Sequence, residues 1–397
     1  MSQQRIRIAI VAATFPPSVG GGIASAHFRL GQLLANSGAD VRYFAYLDPL
    51  PSTDNTIRQT STHTWNRVVR RFCSLFFRLF DPSGRAYQTA DILASWQGAR
   101  KLRHDLEVFA PNEIILPDHG CPGLALGGLR TNARVSLVAH HNPMRFISQP
   151  GLNPHSILDA RIAVALEKIS LRYVDRIVAP CHYMETCTRE TYKFKGPISV
   201  IPNLIDFATL DSIAPHDFRE RIGLEASTPV IYVPSAASRF KGSVLLSELL
   251  AEIREAVGSP IGYYLSGSMS TEFRRSLPAG LAIFAPGSVP AMQNLSYVKA
   301  CTLAVSPTMI ENFSMALLEA QLIGLPVVTF DVGGNRELVE HGQSGSIVPL
   351  NDVHALAELA ASWLDRLLKT DASSIRTSCR RRFDPALWLP MWLSEKT

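Results

Sequence analysis

Glu311 and Glu319 are the residues whose spacing most clearly suits chemistry. Seven residues lie between them in PTMIENFSMALLEAQLIGLPVV, where Met315, Leu317 and Leu318 carry an apolar run and Asn312 or Ser314 can cap its start. That puts Glu311 just before a helix and Glu319 roughly two turns in. A helix start offers unpaired N–H groups and the positive end of the backbone dipole, which favour an anion such as a diphosphate. Carboxylates on either side of that anion can accept hydrogen bonds from sugar hydroxyls, one holding a transferred sugar and the other a ribose. Two solvated glutamates on a surface helix would show the same spacing.

Three other groups invite a similar reading. In SRFKGSVLLSELL, Arg239 and Lys241 precede a helix expected to start near Gly242. Cations there oppose the helix dipole, a cost that makes sense with an anion between them, although plain surface charge is the alternative. Gly20, Gly21 and Gly22 sit between an apolar strand and a helix, where missing Cβ atoms permit close approach of a phosphate; a plain strand-to-helix turn would look alike. His140 and His141 end a strand and precede Asn142 and Pro143. In an α/β domain that end of a strand faces a ligand cleft. No further metal ligands are close in sequence, so no metal site is expected.

The elements that must position these groups alternate. Residues 6–12 read as a strand, SAHFRLGQLLANSG as a helix stopped by Gly38, and 41–46 as the next strand, a β-α-β opening. Residues 50–64 read as polar loop, 87–109 as one helix, 112–116, 135–139, 176–179 and 199–201 as strands, and 156–172 as a helix. Prolines 202, 215 and 229 mark a junction. A second set follows, with strands at 230–233, 261–265, 282–284, 303–305 and 327–329 and helices at 242–257, 314–323 and 352–369. The expected architecture is α/β: two Rossmann-like parallel-sheet domains facing across a cleft, 1–204 and 205–375, with a terminal helix over 376–397.

Composition sets the bounds. The 397 residues are 46% hydrophobic and 18% charged, enough for two cores and unlike a disordered chain. A net charge of +5 permits anionic ligands or surfaces without demanding nucleic acid, and none is expected as a partner. Six cysteines form no C-x-x-C pair, which suggests free thiols in a reducing compartment. MSQQRIRIAIVAATF does not read as a signal peptide, and no apolar run is long enough for a membrane span. The expected location is cytoplasmic. In WNRVVRRFCSLFFRLF (65–80), Trp65, Val68, Val69, Phe72, Phe76, Leu79 and Phe80 form an apolar helical stripe opposite Arg67, Arg71 and Arg78. The stripe suits peripheral contact with an anionic membrane at its inner face. Packing on its own domain is the plainer reading.

Taken together, FPPSVGGGIASA, VDRIVAPCHYM, ISVIPNLID, FKG and SPTMIENFSMALLEAQLIGLPVVTFDVGGNRELVEHGQSGSIVP resemble the retaining nucleotide-sugar glycosyltransferases of family 4, which have the GT-B fold. The resemblance covers most of the chain. It implies a metal-independent hexosyltransferase that takes a nucleotide-diphosphate-sugar donor and a hydroxyl acceptor, a glycan, glycolipid or small glycoside, in surface polysaccharide or glycoconjugate synthesis. No cofactor is implied. In this reading Glu319 accepts hydrogen bonds from the ribose and Glu311 lies by the donor sugar. Amides of Asn312, Phe313 and Ser314 approach its hydroxyls or the diphosphate. Lys241 binds the diphosphate, Gly21 and Gly22 close over it from the other domain, and His141 sits by the donor sugar. The base rests near Gly287, Ser288 and Val289, and RRRFDPALWLPMWL forms the helix that crosses back.

Three positions depart from the family pattern. Ala236 stands where an arginine is usual, so that either Arg239 reaches the same phosphate or the contact is lost; Leu204 and Asn312 replace glycines; Cys181 replaces a serine at a helix start. The implied mechanism is front-face attack with retention, Lys241 and a helix N-terminus stabilising the leaving diphosphate. Rival readings are a nucleotide-sugar epimerase, a phosphorylase, or a non-catalytic subunit that binds sugar nucleotides.

Overall fold

The computed structural model describes residues 5–15, 21–47, 56–60, 63–81, 85–147, 152, 155–367 and 373–393. The chain divides into two units, Met1–Ile205 with Pro385–Thr397, and Asp206–Asp384.

The first unit runs β1 (Arg7–Ala12), α1 (Gly22–Asn36), β2 (Asp40–Ala45), β3 (Ile57–Gln59), α2 (His63–Phe80), α3 (Gln88–Lys101) and α4 (Arg103–Phe109). It continues with β4 (Glu113–Pro117), α5 (Gly123–Leu126), β5 (Arg134–Val138), α6 (Ile157–Ser170), β6 (Arg176–Ala179), α7 (His182–Tyr192) and β7 (Ile198–Val200). Its seven strands are ordered β3-β2-β1-β4-β5-β6-β7, all parallel. Strand β1 is apolar and buried from Ile8 to Ala12 because both its faces are covered. Ile8 and Ile10 pack with Leu30 and Leu34 of α1, while Ala9 and Val11 pack with Leu102, Leu106 and Phe109. That is the two-residue period of a strand dividing two cores.

The second unit runs α8 (Phe207–Ser212), β8 (Val230–Val233), α9 (Leu246–Val257), β9 (Gly262–Leu265), α10 (Thr271–Arg275), β10 (Ala282–Phe284), α11 (Ala291–Val298) and β11 (Leu303–Ser306). Then come α12 (Met315–Ile323), β12 (Val327–Phe330), α13 (Asn335–Leu338), β13 (Gly345–Val348), α14 (Val353–Leu367) and α15 (Ser373–Arg382). Its six parallel strands are ordered β10-β9-β8-β11-β12-β13. Val233, Val305 and Phe330 of the sheet meet Leu249 and Ile253 of α9 and Leu356 and Trp363 of α14 in one core. Both units are Rossmann-like parallel-sheet domains.

The structure corrects several sequence expectations. Within the expected loop at 50–64, β3 pairs with β2 through Tyr43 and Ile57; one buried apolar residue in a polar stretch leaves no alternation to read. The expected helix at 87–109 breaks at the buried Leu102, whose N–H bonds back to Ala99 in a tightened turn. The expected helix at 242–257 starts only at Leu246. The single terminal helix expected over 376–397 is two helices: α15 stays with the second unit, and α16 (Pro385–Leu393) lies in the first. The carbonyls of Met391 and Trp392 at the end of α16 accept from Arg176 at 2.9 Å and Arg134 at 3.2 Å. Both guanidiniums are held by the buried Glu113. None of the six cysteines forms a disulfide.

Candidate functional site

In the second unit the chain reverses its direction of sheet growth between β8 and β11, so the connections after these neighbouring strands diverge and leave a crevice at their C-terminal ends. Lys241 follows β8 and Glu311 follows β11. The two side chains, 28% and 11% exposed, form an ion pair between Nζ and Oε2. The other carboxylate oxygen of Glu311 accepts the Asn312 N–H at 3.0 Å.

The backbone explains why they meet. Residues 239–241 make a short 3₁₀ turn ended by Gly242 in the left-handed region, φ +83°. A Cβ there would lie 1.9 Å from the Pro307 carbonyl oxygen, so only glycine allows this close approach. The Phe240 carbonyl then accepts the N–H groups of Met309 at 2.9 Å and Ile310 at 3.2 Å. This corrects the expectation that Arg239 and Lys241 sit at the start of α9: they occupy their own turn, latched to the Glu311 loop. Arg239 is exposed. A second glycine supports the loop from β12: Gly333, φ +58°, would place a Cβ 2.0 Å from the Glu311 carbonyl oxygen, and Gly334 N–H donates to Asn312 O at 2.8 Å.

Helix α12 begins directly after this loop. Ser314 is its N-cap, but its side chain makes no capping hydrogen bond and so does not take up the first-turn N–H groups. Asn312, Phe313 and Ser314 are each 6% exposed. Glu319 lies on α12 itself and is buried. Its charge, after burial, helps push the Tyr232 phenol of β8 up from its ordinary range. Ser288 and Val289 lie in the connection after β10, where Gly287 has φ +89°. These connections all leave the C-terminal edge of the sheet.

The first unit has the same kind of reversal between β1 and β4. Gly21 precedes α1 and Gly22 begins it; residues 16–20, and with them Gly20, lie outside the described residues. Among the described residues a Cβ on Gly21 or Gly22 would meet nothing within 4 Å, so their packing does not demand glycine at either position. His140 and His141 follow β5 and are each 8% exposed. His140 Nε2 lies 2.8 Å from Asn203 Oδ1. Burial pushes the His140 imidazole down to about 4 and His141 well below its usual value.

The sequence reading missed Asp118, the first residue after β4. Its Oδ2 accepts the His141 N–H at 2.6 Å and its Oδ1 the His119 N–H at 2.7 Å, clamping the two histidine-bearing connections together. The His119 and His141 rings meet edge-on at 5.5 Å. Burial pushes Asp118 up to about 7. An acid directly after an apolar strand, at the sheet's C-terminal edge, was the available signal. Ser235, also missed, holds φ +49° where β8 ends, its N–H bonded to Ser266 Oγ at 3.0 Å.

The departures from the family pattern have local outcomes. Ala236 is 2% exposed within the apolar core of the second unit. Leu204 is buried in the core of the first. Cys181 is the N-cap of α7 and makes no side-chain cap, the role in which serine is favoured. Among the described residues no group of three or more His, Cys, Asp or Glu is arranged to hold a metal ion.

Comparison with known proteins follows the two units. The family model described as Glycosyltransferase Family 4 matches residues 20–209, and that described as Glycosyl transferases group 1 matches residues 216–375. The chain is 28% identical over 192 residues to D-inositol 3-phosphate glycosyltransferase of Nocardiopsis dassonvillei, 45% of each chain. It is 27% identical over 179 residues to UDP-Gal:alpha-D-GlcNAc-diphosphoundecaprenol alpha-1,3-galactosyltransferase of Escherichia coli, 43% of this chain and 46% of that one. The matched segment thus spans under half the length of these relatives. Sucrose-phosphate synthase from Thermosynechococcus elongatus superposes with a TM-score of 0.71 at 18% identity over 98% of both chains, a likeness of fold.

Proposed function

Because the chain belongs to the GT-B glycosyltransferases of family 4, we propose that it moves a hexose from a nucleotide-diphosphate-sugar to a hydroxyl acceptor with retention of configuration. The observation that carries this reading is the pairing of Lys241 with Glu311 beside the start of α12, with Glu319 buried on that helix. A donor diphosphate entering there meets one cation and a set of backbone N–H groups, both favourable to its charge. It takes over Lys241, and Glu311 turns its oxygens to sugar hydroxyls. Glu319 accepts from the ribose. In the transition state charge builds on the leaving phosphate, where a fixed lysine and a helix N-terminus stabilise it most. No divalent metal is needed for that step, and no dedicated base is assigned: the leaving phosphate takes the acceptor proton on the same face.

His141 is assigned to the donor sugar. Its depressed pKa keeps the imidazole neutral, so it serves as a hydrogen-bonding group and adds no charge. Gly21 and Gly22, which no described neighbour restricts, are assigned to close approach of the donor. Ser288 and Val289 are assigned to the base. For the acceptor we favour a surface polysaccharide or glycoconjugate; the Escherichia coli relative is named for a lipid-diphosphate-linked sugar.

A panel of nucleotide-diphosphate-sugars tests the reading, scored by thermal shift and by slow donor hydrolysis with and without EDTA. At least one donor is expected to raise the melting temperature and to be hydrolysed equally under both conditions. No shift with any of them overturns the donor assignment, and loss of hydrolysis in EDTA overturns metal independence.

A further inference from the structure

Helix α2 is apolar on two adjoining faces, and its own unit covers only one. Val69, Cys73 and Phe77, spaced four apart, are buried together with Ala90 of α3. Next to that face, at about 100° per residue, come Phe76, Trp65, Phe72, Leu79, Val68 and Leu75 in angular order. Phe72 is 68% exposed, Leu75 63% and Leu79 73%. Leu93 of α3 is also exposed, and its carbonyl accepts the Trp65 indole N–H at 3.1 Å, which extends the patch onto a second helix. So much contiguous apolar surface marks an interaction site. The packing expected for residues 65–80 therefore accounts for the inner face alone.

Charge identifies the occupant. Beyond Leu75 the helix turns to Arg71, Arg78 and Arg67, and α2 contains no acidic residue. Arg70, nearer the packed face, is neutralised by Asp91 at 2.6 Å, whereas none of the described ion pairs involves Arg67, Arg71 or Arg78. The first unit carries 24 Lys and Arg against 15 Asp and Glu, a net +9, and the second 15 against 19, a net −4. A second copy of α2 would set this arginine margin against itself with no acid to offset it. A sheet of lipid phosphates complements both the apolar strip and its basic edge.

We propose that α2 lies in the plane of an anionic membrane, with Phe72, Leu75 and Leu79 in the acyl boundary and Arg67, Arg71 and Arg78 on the lipid phosphates. No described helix is long and apolar enough to cross a membrane, so the contact is lateral. The test uses the full chain, sedimented with phosphatidylcholine vesicles with and without phosphatidylglycerol. Wild type is expected to bind the phosphatidylglycerol vesicles and to release as salt rises. The Arg67→Gln, Arg71→Gln, Arg78→Gln triple variant should bind about a hundredfold more weakly, and Phe72→Ser with Leu79→Ser at least about tenfold more weakly. All five side chains are exposed, so melting temperatures should stay at the wild-type value. Equal binding to both vesicle types, no binding to either, or unchanged binding by the Phe72→Ser, Leu79→Ser variant overturns the proposal. So does a wild-type dimer in light scattering that this variant converts to monomer, because the face would then belong to a second copy.

Discussion

Lys241 and Glu311 form an ion pair that the donor would open under the proposed function, and this makes their single substitutions asymmetric. Under that reading Lys241→Ala removes the cation from the leaving group, and it breaks the ion pair of Glu311, 11% exposed. Turnover should fall about 10²- to 10³-fold. Some melting temperature should be lost as well, through the broken ion pair. Adding Glu311→Gln should restore the melting temperature but not the turnover, a split that a purely structural lysine would not give; recovery of both would make the pair a scaffold. Glu319→Ala should weaken donor binding by about ten- to a hundredfold, the value of a charged hydrogen bond, as read by calorimetry. Unchanged affinity would remove Glu319 from the ribose. Both glutamates were legible in the sequence because their spacing and flanks are local. The pairing of Glu311 with Lys241 crosses 70 positions and exists only because β8 and β11 are neighbours in the sheet. Asp118 was not legible as a clamp, because a single acid after a strand shows its backbone partners only once β4 and β5 lie side by side.

The elements carry the site through close backbone approaches more than through side-chain packing. Gly242 presses on the Pro307 carbonyl and Gly333 on the Glu311 carbonyl, each in a positive-φ conformation. A Cβ at Gly333 would strain the backbone and push the Glu311 loop away from α12. Gly333→Ala should therefore cost at least about 2 kcal/mol, seen as a lower urea midpoint, and should weaken donor binding in the fraction that folds. A midpoint and affinity both equal to wild type would show that the loop yields without consequence. Most of the strand-helix alternation could be read in advance, because central parallel strands such as β1 and β8 are continuous apolar runs. The misread elements are those whose limits are set from outside their own sequence. Strand β3 exists through its pairing with β2. Helix α9 starts late because Gly242 is held against the next connection. The C-terminal residues divide into two helices because α16 is claimed by arginines fixed on Glu113 in the first unit.

Across the whole molecule the buried ionisable groups concentrate in the first unit, and they set how stability varies with pH. Burial pushes His27 down to about 3 and His140 to about 4, and it shifts His119 and His141 in the same direction. Each stays neutral in the folded chain but takes up a proton once unfolded below its ordinary value of 6.5. The stability tied to them is thus complete above that value and is lost as pH falls toward the folded values. Asp118 acts in the opposite sense. Raised to about 7, it holds a proton in the fold that the unfolded chain has released, so its contribution is full below its ordinary value of 3.8 and disappears as pH climbs through 7. Burial pushes Glu167 well above its ordinary value in the same sense, and the four histidines outnumber the two acids. Unfolding between about pH 4 and 6.5 should therefore take up about two protons net, and stability should decline again as pH climbs through 7. Urea midpoints measured across that range give the slope directly. Asp118→Asn deletes one of the two opposing acids, so its acid limb should steepen by about one proton. A limb that does not steepen would mean that Asp118 is ionised in the fold and that its two backbone hydrogen bonds outweigh its burial.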